Sequence, residues 1–280
     1  LWVPILLGGL GFMGLCRPGE ARAAVEHAEI YQRTTNGFAE ASFLKPADAN
    51  TEDLTFKLAP LILEEVVLPT NGPSSATGLG ALPPGDTDLA PKPARPVVYV
   101  HTDVVVIRGK PHARLGYFWF YPAAPTATSQ ARPVQGVRLT LNAAGEPVIW
   151  EVLADTSGLD LIFVSQNLES AAAAEFGPPL PGRRHAIEAA PAQASKVIVA
   201  RVLDDGPVPM GPIVYLKSPS RDVLTVICRC MPAQAKKLGR TVEYELRPWP
   251  GSSIPRPGAA TWLGRADRPL EERLRLPAKF

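Results

Sequence analysis

The chain has 280 residues, enough apolar content for a sizeable core, and a net charge of only +2. That balance excludes the strong field a nucleic-acid or anionic-membrane binder uses, and no nucleic-acid partner is expected. With 31 prolines and 23 glycines, turn residues exceed the usual level of about 12%, so many short connections and at least one irregular segment are expected.

Residues 1–16, LWVPILLGGLGFMGLC, form an uncharged apolar run, followed by the small-x-small pattern Ala21-Arg22-Ala23. This reads as a signal peptide over 1–23, although no Lys or Arg precedes the apolar run. The run is short for a membrane span, so no stable span is expected once it is cleaved. The expected localisation is secreted or periplasmic, with an envelope protein as a candidate partner.

An N-terminal segment follows over 24–68. AVEHAEIYQRTT reads as a short helix closed by Asn36-Gly37, and DLTFKLAPLILEEVVL as one or two edge strands interrupted by Pro60. Residues 69–96 hold almost no strand or helix former and read as a Pro/Gly-rich loop or linker.

The main domain, 97–248, is dominated by strands. VVYVHTDVVVI and HARLGYFWFY flank RGKP as a hairpin, and VRLTL and VIWEVL flank NAAGEP as a second. LDLIFV leads into a helix capped by Ser165, with Leu168, Ala172 and Phe176 on one face and Gly177 at its end. KVIVARVL, PIVYL, VLTVICRC and VEYELR complete the set, and a short helix, PAQAKKL, is expected after Met231. Strand follows strand through short turns. The fold class is therefore α+β and β-rich, mainly an antiparallel sheet or sandwich with one or two short helices. A Pro-rich, mildly basic tail spans 249–280, with one or two helical turns in RPLEERLRL.

The chain carries no phosphate loop, dinucleotide fingerprint, Gly-x-Ser-x-Gly elbow or His-Glu-x-x-His. Two constellations remain. His101 and Asp103 share a strand face at metal-ligand spacing, and with His185 they would make the facial set of a metal-dependent enzyme. The plainer reading places Ile107 opposite His112. His101 then faces Phe118, Asp103 lies diagonal to Arg114 as an outer-face ion pair, and Val98, Val100, Val104 and Val106 form the core side.

The second constellation is Cys228, Cys230 and Met231. As thiolates and a thioether they suit copper or zinc; as a dithiol they suit redox work. On a regular strand the two cysteines instead continue the apolar face of Leu224 and Val226. A disulfide between them requires the strand to break by Arg229, because regular extension leaves their side chains parallel. The alternation favours continuation, hence two reduced, buried thiols without metal.

Glu151 is a carboxylate within an apolar run, and Tyr117, Trp119 and Tyr121 form an aromatic stripe read as core. The expected function is an exported binding or structural-interaction protein. Soft-metal or thiol-redox chemistry is the first alternative, and a metal enzyme the second.

Overall fold

The computed structural model describes residues 30–31, 39–47, 52–66, 95–121, 134–153, 158–206, 210–218, 221–229, 233, 235–238, 241–249 and 268–280. The signal peptide, most of the 69–96 segment, Cys230 and Met231 lie outside the described residues.

Period-two alternation over most of the chain yields twelve strands: β1 (Glu40–Pro46), β2 (Leu61–Glu65), β3 (Val97–Ile107), β4 (Lys110–Phe120), β5 (Val134–Leu141), β6 (Pro147–Leu153), β7 (Asp160–Ser165), β8 (Val197–Leu203), β9 (Pro212–Leu216), β10 (Val223–Cys228), β11 (Lys236–Lys237) and β12 (Val242–Pro248). They form one mixed sheet in the order β10-β9-β2-β1-β12-β3-β4-β5-β6-β7-β8, with β11 also on β1. The sheet curls until its two edges meet. Arg201 of β8 donates to the Thr225 hydroxyl of β10 at 3.4 Å, so the sheet is nearly closed into a barrel.

The barrel interior is filled. Tyr117 and Trp119 of β4, with Tyr121 just past its end, meet Tyr244, Phe163, Val137, Leu139 and Val214 in one cluster, and the aromatic stripe is core as expected. The segment before β2 is tucked into one end. Its single helical turn α1 (Leu54–Lys57) leads to Leu58 and Ala59, both fully buried. Backbone carbonyls there accept from barrel side chains: Thr55 from Tyr117 at 2.7 Å, Pro60 from Tyr244 at 2.7 Å and Ala59 from Arg229 at 3.0 Å. Gly211 allows this close approach, since a Cβ there would stand 2.1 Å from the Ala59 oxygen. The opposite end is sealed by a polar plug. Tyr121 donates to Gln135 at 2.8 Å, Gln135 donates to the Arg221 carbonyl at 2.7 Å, and Arg221 lies over the Tyr121 ring at 4.2 Å.

A second apolar layer covers the outer face of β6, β7 and β8. It is built from α2 (Gln166–Phe176), α3 (Pro191–Ala194), α4 (Leu270–Arg273) and the residues that follow α4. Helix α2 forms where its signals lie: the Ser165 hydroxyl accepts from Leu168 N at 3.3 Å, Leu168 and Ala172 are buried, and Gly177 ends it. Leu270 and Leu274 are buried in the same layer.

Three local expectations are corrected. Residues 54–57 are helical, and β2 begins after Pro60 and lies between β1 and β9, not at an edge. In place of a helix over PAQAKKL, Lys236 and Lys237 pair in parallel with Glu40 and Ala41; partners distant in sequence override the local propensity. The first hairpin turns on two residues, so Ile107 pairs with Lys110. Arg108 and Gly109 both hold positive φ, at 49° and 76°, as a type I′ turn requires. His101 therefore faces Gly116, and Asp103 stands directly opposite Arg114.

Candidate functional site

The three residues of the expected metal-enzyme set are not brought together. Asp103 is held by Arg114 in a two-pronged pair, with Nε donating to Oδ1 at 2.8 Å and Nη2 to Oδ2. His185 packs edge-on to Tyr31 with ring centroids 6.3 Å apart. Burial, with the neighbouring Arg184 charge, pushes its imidazole down to about 4. Among the described residues no three His, Cys, Asp or Glu side chains form a metal-holding group.

Cys228 is disulfide-bonded, its partner lying outside the described residues. Strand β10 ends at Cys228 and the chain turns at Arg229, so the break that a disulfide demands is present. The expectation of two reduced thiols is corrected at Cys228. A disulfide sulfur also lacks the thiolate that a soft metal binds.

Two buried charge clusters have structural work to do. Glu151 accepts from Arg138 Nε and Nη2, both at 2.8 Å, and from Arg273 Nη2. All three are 1% exposed, where α4, which carries Arg273, covers the outer face of the barrel. Burial pushes the Glu151 carboxyl up, but the Arg138 and Arg273 charges prevail and hold it at about 2. Glu188 collects Tyr31 OH at 3.0 Å and the amides of His185 at 3.0 Å and Arg184 at 3.2 Å. Beside it Arg183 donates to the carbonyls of Ala189, Val197 and Ala194 at 2.7–2.8 Å. These bonds fix the irregular 178–196 stretch against the start of β8.

An open concavity lies elsewhere, at the barrel end that receives α1. It is a cavity of about 140 Å³ formed where several connections converge. The β5–β6 turn supplies Asn142 and Glu146, β6 supplies Val148 and Trp150, and the segment after β8 supplies Asp204 and Asp205. Met210, Pro212 and Cys228 close the far wall, and Pro212 and Cys228 face each other on the last rung of the β9–β10 ladder. Each wall has a local cause. Asn142 Oδ1 accepts from Ala144 N and Glu146 N, both at 2.9 Å, which folds the turn and sets the Glu146 side chain at the rim. Asp205 accepts from Asn167 N at 2.9 Å and so ties the loop to the start of α2.

Among the described residues, three carboxylates and no basic side chain line this cavity. Trp150 forms part of its wall and is 6% exposed; its indole Nε1–H is buried and makes no hydrogen bond among the described residues. A buried donor without an acceptor costs free energy, on the order of 1–3 kcal/mol. Of this lining, sequence reasoning singles out only Cys228. Trp150 reads as one more apolar strand residue, and Glu146 and Asp204 as turn residues.

Compared with known proteins, the chain matches no family model, no curated protein and no solved structure significantly, so fold and site rest on its own residues.

Proposed function

We propose that this is a binding protein in which a filled β-barrel acts as a rigid scaffold and the cavity beside Trp150 takes a small organic cation bearing an acceptor oxygen. The carrying observation is the pairing of a buried indole N–H, unpartnered among the described residues, with a lining whose charged members among the described residues are all acidic. Carboxylates attract the cation, an indole face adds cation–π attraction, and the indole N–H selects an oxygen. The volume limits the ligand to a compact molecule, well below drug size. The disulfide at Cys228 supports action in an oxidising compartment, in keeping with an exported protein.

Titration calorimetry with choline, ethanolamine and tetramethylammonium tests this reading. Choline and ethanolamine should bind, tetramethylammonium more weakly, and acetate not at all. Trp150→Leu or Asp204→Asn should weaken choline binding tenfold or more with the fold intact. Equal binding of acetate and choline, or indifference to both substitutions, would overturn the proposal.

A further inference from the structure

Cys228 is disulfide-bonded, and it also forms part of the wall of the cavity beside Trp150. Its place on β10 explains why. Val226 points into the barrel core, and Cys228, two residues on, continues the same face. It stands opposite Pro212 on the last rung of the β9–β10 ladder. The ladder stops there, so Cys228 is half-buried where Val226 is fully buried. A disulfide packed inside a core is shielded from thiols, whereas one at an open cavity is accessible to exchange.

The carboxylates of the same lining decide which thiol is favoured. Glu146 and Asp205 are held in place: Glu146 accepts from Asn142 Nδ2 at 2.9 Å, and Asp205 from Asn167 N at 2.9 Å. Asp204 adjoins them in the wall. A cleft lined by one sign of charge concentrates small ions of the other sign and repels its own, by about tenfold or more. A thiolate that also carries a carboxylate is therefore kept away from Cys228. A thiolate that carries an ammonium group is drawn in. Among the described lining residues, the disulfide is also the one group that reacts with a thiol at neutral pH.

We infer that this cavity directs thiol–disulfide exchange at Cys228 and that its substrates are small aminothiols, an inference that rests on the reading of the cavity as a cation site. The ammonium group sits among the carboxylates while its thiolate attacks Cys228 Sγ. A new S–S bond forms and the old one breaks. The electron pair leaves on the partner cysteine's sulfur, which takes a proton from water. The mixed disulfide keeps its ammonium group among Glu146, Asp204 and Asp205. A second aminothiol then attacks the small molecule's sulfur, releasing a small disulfide and the Cys228 thiolate, which is protonated in turn. Two thiols are oxidised and one protein disulfide is reduced.

Exchange rates of the oxidised chain with cysteamine, 2-mercaptoethanol and mercaptoacetate, read by mass spectrometry after acid quenching, test this. The ratio of cysteamine to mercaptoacetate rates should be about tenfold or more higher in the folded chain than in the urea-unfolded chain. That comparison cancels the intrinsic reactivities of the thiols. 2-Mercaptoethanol should fall between them, and concentrated salt should shrink the ratio. Peptide mapping should place the added thiol on Cys228, and saturating choline should slow cysteamine. Glu146→Gln with Asp204→Asn should erase most of the preference. A ratio unchanged by unfolding or by the double substitution, an added thiol mapped to the partner cysteine, or a folded disulfide inert to all three thiols would each overturn the inference. Calorimetry keeps the two readings apart. Choline bound without thiol selectivity sinks this inference alone, whereas a chain that does not bind choline sinks the cation reading beneath it.

Discussion

Replacing Glu151 by Gln keeps the volume and removes the charge that two buried guanidinium groups share. Arg138 and Arg273 would face each other at 1% exposure, with Asp160 4.0 Å from Arg273 as the nearest remaining carboxylate of the cluster. Breaking a buried pair costs about 3–5 kcal/mol. The electrostatics of Glu151 give a similar figure: holding its carboxyl at about 2 instead of the ordinary 4.5 corresponds to about 3 kcal/mol. Against a total stability of about 5–15 kcal/mol that loss is large. Urea unfolding at pH 7 should therefore show the variant less stable by about 3 kcal/mol. Because the folded-state value is depressed, the stabilisation is complete above the unfolded value of 4.5 and is lost as pH falls toward 2. The gap between wild type and Glu151→Gln should accordingly narrow below pH 4.5. A gap under about 1 kcal/mol at neutral pH, no more than an exposed pair gives, would refute the reasoning; so would a gap constant from pH 7 to pH 3.

Ser165→Ala removes the N-cap of α2 and should cost about 1 kcal/mol in urea unfolding, while Ser165→Asp should restore most of it. Glu64 faces the barrel interior, where burial, only partly offset by Arg221, pushes its carboxyl up to about 7. A raised folded-state value for an acid means that stability falls as pH rises from 4.5 through 7 and is level above. Glu64→Gln should flatten that slope and be the more stable protein at pH 8, by about 3 kcal/mol; parallel pH curves for the two proteins would count against it. Gly211→Ala puts a methyl 2.1 Å from the Ala59 oxygen and should cost at least 1–3 kcal/mol, lowering the melting temperature.

What could be read in advance was what neighbouring residues decide. Helix α2 was legible because Ser165, the Leu168–Ala172 face and Gly177 lie within one short stretch. The alternation of VEYELR and the β5–β6 hairpin were legible for the same reason. The barrel was not, because its closure depends on strands remote in sequence: β2 pairs in parallel with β9, and β3 with β12. The register of the first hairpin was missed by two residues because Arg108, an unusual type I′ residue, takes positive φ with its amide held by Glu271. Glu151 showed only as an acid in an apolar run, and nothing local names Arg273 as its partner. The cavity at the barrel end draws on separate connections, so no motif spells it.

The central claim, a ligand site at Trp150, is tested most directly by the indole N–H resonances in a proton–nitrogen spectrum during titration with choline. The Trp150 Nε1–H has no acceptor among the described residues and should move downfield as the ligand oxygen arrives. Trp119 Nε1–H, already 3.1 Å from Tyr121 and 3.2 Å from Gln135 at the sealed end, should stay in place. A Trp150 signal unmoved at saturating choline, or one that moves no more than that of Trp119, would contradict the account.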